Sequence, residues 1–287
     1  TSFDSNGFTL GGDAYYNGGS LDYVAWCWRA AGFANAFNVL ENGTVTTSSS
    51  AATAGVTAGS ITTGWNVSAN RDAGFSIVQG TTSGGLNTVN SFGHELGVKP
   101  ELIIVKDATN SGNLASNWYV YESGLGAGKF LYFNDSSSAP SSTYVWGNTE
   151  PTSSVFSITD GQTVNVGATF IAYCFHSVDG YSKIGSYQGD RPNTVTVYTT
   201  DDGTSTGANG FEPSFLMIKD STTSGEDWII VDNKREGTSA PTKVLYPNTS
   251  GIEDSYTVIN FTSDGFTVGN TGLANTSGAT IIYLAIA

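Results

Sequence analysis

The segment GVKPELIIVKD, from Gly97 to Asp107, recurs without gaps as GFEPSFLMIKD, from Gly210 to Asp220. Each copy is followed by an aromatic strand candidate, NWYVYES with Trp118 and DWIIVDN with Trp228. KFLYFN from Lys129 and KVLYPN from Lys243 come next, and each copy closes on a long apolar run, GATFIAYCF from Gly167 or GATIIYLAI from Gly278. Four stations in one order predict two copies of one supersecondary unit, so the fold of one copy constrains the fold of the other.

A third, incomplete copy opens the chain. FDSNGFTLG from Phe3 aligns with FTSDGFTVG from Phe261, and YVAWCW from Tyr23 aligns with IIYLAI from Ile281 at the same offset. The expected organisation is therefore closing strands of an incomplete first repeat at 1–32, a Gly/Ser/Thr/Ala-rich insert at 33–73, and full repeats at 74–179 and 180–287. Thr1 then reads as a processing boundary within a longer repeat protein. Alternatively, the opening piece supplies strands that cap the array. The insert, which includes VTTSSSAATAGVTAGSITTG, buries little apolar surface by itself. It reads as an extended arm over another unit or as a flexible linker.

Each unit reads as β structure. LIIVK and FLMIK are short continuous apolar runs of the kind buried on both faces of a sheet. WYVYE and WIIVD add aromatic and β-branched residues between turns, with Asn6-Gly7, Asp179-Gly180, Asp202-Gly203 and Asp264-Gly265 marking corners. With 36 Gly and 13% charged residues, the chain is poorly suited to long amphipathic helices. The predicted fold class is all-β, with tandem β-sandwich (jelly-roll/concanavalin-like) units and a barrel as runner-up. GFSIVQG at the end of the insert is shorter than the matching Gly180–Gly189 station, which leaves the strand pairing there open.

A net charge of −14 argues against nucleic acid and against an anionic membrane surface as partners, because either requires a basic face. No stretch approaches the roughly 18 apolar residues of a membrane helix, and the first residues do not resemble a signal peptide. Cys27 and Cys174 each lie in an apolar run and read as reduced, buried core residues in equivalent strands. Residues 1–30 carry alternating apolar residues, so they are expected to pair with the insert, a preceding domain or a neighbouring subunit.

Candidate chemistry is sparse. His94-Glu95 and His176 with Asp179 place a histidine near an acid, and Ser177 would complete a triad in name, but neighbours in sequence do not acquire triad geometry by adjacency. Glu226-Asp227 and Glu253-Asp254 are carboxylate pairs of the type used in glycoside hydrolysis, though such neighbours on turns are usually solvated. Asp190, Asp201 and Asp202 suggest a calcium loop without matching EF-hand spacing. No other cofactor is expected. Lys106, Asp107, Lys219 and Asp220 recur at the end of the apolar strand and read as repeated structural positions, closing an ion pair or a turn. Trp118, Tyr119, Tyr121 and Trp228 are candidate ligand-contact aromatics for a sugar face, against a core or inter-sheet role for the recurring tryptophans.

At GVKPELIIVKD, PTSSVFSI, YCFHSVDGYSKIGSYQG, FLMIKD, DWIIVDNKR and the closing strand, the chain resembles a family of repeat domains in marine tailed phages of the cyanophage type, a family with no assigned activity. The resemblance implies a virion-associated structural protein, a tail fibre or other outward-facing appendage, with host-surface attachment as a role. Its implied partners are further copies, other virion proteins and a host surface glycan. In that setting the sequons at Asn42, Asn66, Asn134, Asn248, Asn260 and Asn275 carry no meaning. An extracellular carbohydrate-binding or adhesive module is the alternative, and an enzyme acting on polysaccharide is the reading least favoured.

Overall fold

The structure is a computed structural model that describes residues 2–4, 7–13, 17–28, 30, 60, 65–109, 117–201, 203, 207–256, 259–270 and 272–287. Every element among them is a strand. A hairpin of β1 (Ser2–Asp4) and β2 (Gly7–Thr9) is followed by β3 (Asn66–Asn70), β4 (Phe75–Thr81), β5 (Val89–Gly93) and β6 (Leu102–Asp107). Next come β7 (Trp118–Glu122), β8 (Leu131–Tyr132), β9 (Val155–Thr159) and β10 (Thr169–Phe175). The second half holds β11 (Ser182–Gln188), β12 (Val195–Tyr198), β13 (Phe215–Asp220), β14 (Ile229–Asp232) and β15 (Lys243–Val244). It closes with β16 (Asp254–Ser255), β17 (Ile259–Thr262), β18 (Gly265–Val268) and β19 (Thr280–Ile286).

Two antiparallel sheets dominate, ordered β3-β4-β10-β6-β7-β8 and β11-β19-β13-β14. The matched sequence stations fall on corresponding strands: β4, β10, β6 and β7 in the first sheet stand in the same order as β11, β19, β13 and β14 in the second. The registers correspond as well, since Leu102 opposes Glu122 and Phe170 opposes Asp107, while Phe215 opposes Asp232 and Ile281 opposes Asp220.

Alternation along these strands shows why the apolar runs are continuous. Ile103 and Val105 of β6 point into a core shared with Phe92 of β5 and with Phe156 and Ile158 of β9. Leu216 and Ile218 of β13 do the same against Val197, Phe261 and Phe266 of the sheet β12-β18-β17. The other faces meet each other: Leu102, Ile104 and Val120 pack with Phe215, Met217, Ile230, Ile282 and Leu284 in one cluster. Four sheet layers result, two β-sandwiches placed back to back through their large sheets. A large apolar side chain buried at this shared face contributes about 1.5–3 kcal/mol, so the face is as much a core as either sandwich interior.

The halves differ where the sequence differs. β3, from the end of the insert, adds a strand beside β4, with Val67 and Ala69 buried. Ser60 and Ser91 exchange backbone N–H to hydroxyl bonds at 2.7 and 2.8 Å, so the described end of the insert lies on the first sandwich. Of the expected arm, 33–59 and 61–64 lie outside the described residues. In the second half β11 has the longer station and pairs with β19 over its full length, which resolves the pairing left open by the extra residues.

The N-terminal segment departs from expectation. The β1–β2 hairpin has the register of β17–β18, with Phe3 opposite Phe8 as Phe261 is opposite Phe266. Residues 23–28, aligned with β19, form no strand. β19 is central, paired on both sides by β11 and β13 and buried on both faces, whereas residues 23–28 have no such flanking strands among the described residues. They instead hang Trp26 and Trp28 on the shared face. Cys27 is consequently exposed, contrary to the expected buried equivalent of Cys174. Both cysteines are free, and burial pushes the Cys174 thiol up to about 12.

Candidate functional site

The recurring Lys-Asp pair closes turns. Asp107 is buried and accepts from the Thr109 N–H at 2.8 Å and from the backbone N–H and side-chain amide of Asn165 at 2.9 and 2.7 Å. Burial works to raise its carboxyl, but these donors outweigh it and hold it below the usual range. Asp220 accepts from the N–H groups of Thr222 and Thr223 at 2.8 and 2.9 Å. One strand over, two further carboxylates repeat the device. Glu122 accepts from Gly124 and Leu125, and Asp232 accepts from Lys234 and Arg235.

The two lysines part company. Lys219 is 0% exposed, and its Nζ donates to three backbone oxygens: Glu226 at 2.7 Å, Asp220 at 2.8 Å and Ser136 at 3.4 Å. Burial lowers its pKa, opposed by the charge of Asp220. Ser136 belongs to the first half, whose Ala139 N–H also donates to Ser221 O at 2.8 Å. Trp228 continues this closed contact. It is 1% exposed, its Nε1 donates to Tyr132 O at 2.8 Å, and its ring meets Phe133 at 5.1 Å.

On the other half Lys106 is only partly covered and lies 5.7 Å from the centre of the Trp118 ring, which stacks on Tyr173. Pro247 stands where Phe133 stands in the other copy of the KFLYFN station. Beside it opens a cavity of about 420 Å3 whose lining is almost wholly apolar, including Trp118, Tyr173 and Pro247. Trp26 and Trp28 roof it, meeting Phe215 edge-on at 5.7 and 5.4 Å.

Of the aromatics predicted as ligand contacts, Tyr119 and Tyr121 are buried in the first sandwich and Trp228 in the shared face, so these three form no exposed platform. The same periodicity that marks an aromatic row also marks a core row, and both large sheets are covered on both faces. Trp118 alone of the four is half-exposed. The cavity was not legible in the sequence because its lining comes from strands of both halves and from Trp26 and Trp28, which no local motif brings together.

The histidines are structural in their contacts. His94 is buried, with Nε2 3.1 Å from Thr152 O and Nδ1 accepting the Leu96 N–H at 3.2 Å. Burial lowers its pKa to about 4. Glu95 pairs with Arg71 at 3.3 Å. His176 faces Glu101 at 3.6 Å, while Ser177 Oγ accepts the Ile184 N–H and Asp179 accepts from Asn209, so the three do not assemble as a triad. Glu253 pairs with Arg235 and with Lys243, and Asp227 accepts from Asn248 at 2.6 Å. Asp190 accepts from Asn193 and Asp201 from Asn209, while Asp202 lies outside the described residues. Among the described residues no three acidic, histidine or cysteine side chains cluster as metal ligands.

Fold and contacts together define an all-β protein of two back-to-back sandwiches with a common central core. The chain belongs to the family described as a domain of unknown function (DUF7483), whose model matches residues 1–287. Neither a curated protein nor a solved structure matches it.

Proposed function

We propose that the chain is a structural module of a tailed-phage virion, part of a tail fibre or another outward-facing appendage, built by tandem duplication of one β-sandwich. The observation that supports this reading most is the shared central face. Two sandwiches joined only by a linker would move independently, but here Leu102, Ile104, Phe215 and Met217 lie in one cluster and Lys219 is held by oxygens from both halves. A rigid, acidic, turn-rich block of this kind suits a load-bearing position that presents surface loops outward. The resemblance of the repeat motifs to marine phage domains supplies the virion setting, and attachment to a host surface is the role it suggests. Electron microscopy of assembled particles carrying a gold-labelled antibody against this chain tests the proposal. Label on a tail appendage is the expected result, and particles that bind no label while the chain is found free in the medium would overturn it.

A further inference from the structure

The loop from β14 to β15 is longer than its counterpart from β7 to β8: Lys243 follows Trp228 by 15 residues, where Lys129 follows Trp118 by 11. Most of its polar groups are used within the fold. Arg235 donates to Asp232 at 2.6 Å, to Lys243 O at 3.0 Å and to Glu253, and Glu236 accepts the N–H groups of Thr242 and Lys243 at 2.6 and 2.8 Å. Ser239 O accepts the Phe261 N–H at 2.6 Å, and its hydroxyl donates to Glu212. The loop is pinned at both ends and in the middle. Two groups are left over. The side-chain oxygen of Asn233 is buried and accepts no hydrogen bond, and the exposed ammonium of Lys234 meets no acceptor among the described residues. A buried carbonyl oxygen without a donor is costly, and its retention calls for a donor from outside the chain.

Asn233 and Lys234 line a recess of about 250 Å3 with Thr238 and Ser239. Lys234 also lines a second recess of about 410 Å3, which Tyr23 and Trp26 of the N-terminal segment border. The Tyr23 hydroxyl accepts the Gly18 N–H at 2.8 Å and Trp26 meets Phe215 edge-on at 5.7 Å, so both rings are held in place. We propose that these adjoining recesses bind a neutral saccharide, with hydroxyls on Asn233 and Lys234 and the C–H face of a pyranose ring against the Tyr23 and Trp26 side. A sugar hydroxyl both donates and accepts, so neighbouring hydroxyls satisfy the orphaned oxygen and the free ammonium together, while an aromatic ring suits the apolar face. Charge selects a neutral sugar. Asp232, Glu212, Glu236 and Glu253 tie down this loop against Lys234, Arg235 and Lys243, in a chain of net charge −14, so an acidic sugar is repelled. The site rests on the proposed attachment role only for where such a glycan is met. Saccharide binding by the purified chain and labelling of the particle fail separately.

Saturation-transfer NMR of the full chain tests the assignment, using the methyl glycosides of glucose, galactose, mannose and N-acetylglucosamine, with glucuronic acid as the charged counterpart. At least one of the four is expected to bind saturably and more tightly than glucuronic acid. Lys234→Met should weaken that glycoside by about tenfold, the size of one hydrogen bond to a charged group, and leave the melting temperature unchanged, since its ammonium holds nothing in the fold. Asn233→Ala and Tyr23→Ala should weaken it as well, whereas Tyr144→Ala, which removes an exposed ring of the first sandwich, should not. No saturable binding of any of the four, tighter binding of glucuronic acid, or undiminished affinity in folded Lys234→Met or Asn233→Ala would each overturn the proposal.

Discussion

The side-chain oxygen of Asn248 accepts the backbone N–H of Trp228 at 2.9 Å, and that of Asn134 accepts the backbone N–H of Trp118 at 2.8 Å. Each asparagine ends a KFLYFN or KVLYPN station and reaches across to the start of the neighbouring strand, where the first N–H has no ladder partner. Asn248→Ala is expected to cost about 1–2 kcal/mol by leaving that N–H unsatisfied beside a buried tryptophan. Asn134→Ala should cost less, because water reaches Trp118. Urea unfolding of the two variants checks the order.

Lys219 is the second test of the central contact. Lys219→Ala removes a long buried side chain and strands three carbonyl oxygens, and a loss of about 3 kcal/mol is expected. Lys219→Met keeps the volume and should lose less. Equal losses in the two variants, measured by urea midpoint and slope, would show that the carbonyl cage and not packing sets the role of this residue.

His94 should make the fold acid-labile above the carboxylate range. Its folded pKa of about 4 lies below the ordinary 6.5, so between these values the unfolded chain binds the proton and the folded chain does not. The stability it contributes is present above pH 6.5 and is lost as pH falls towards 4, on the order of 3 kcal/mol in all. His94→Gln keeps a donor to Thr152 O and cannot titrate. The difference between the two stability profiles should shrink across that window on acidification, and a constant offset would refute the assignment.

The thiols should separate cleanly. A maleimide is expected to modify Cys27 in the native protein, since the side chain is exposed, and to reach Cys174 only after denaturation. Native modification of Cys174 as fast as that of Cys27 would contradict the fold around β10.

The strand content was legible because LIIVKD and FLMIKD have no polar face, and only a strand covered on both sides tolerates that. What covers the second side was not legible. Residues 103 and 105 look inward and 102 and 104 look to the other half, but a single apolar string does not say which partner lies where. The N-terminal hairpin shows the same limit. An added Cβ at Gly265 would come within 2.0 Å of Val197 O, because β12 crosses there, whereas Gly7 in the aligned hairpin has nothing within 4 Å. Alignment carried over the local register of the hairpin, but the strand that buries its counterpart is a tertiary fact. Cys27 was misplaced for that reason.

The most direct test of the central claim, that both sandwiches depend on one shared core, is amide hydrogen exchange at β10 and β19 in the full chain under increasing sub-denaturing urea. The exchange free energies of Ala172 and Leu284 should converge on one global value, since opening either sandwich exposes the face that Leu102, Ile104, Phe215 and Met217 share. If β10 exchanged through a separate opening while β19 stayed fully protected, the halves would be independent domains and the account would fail.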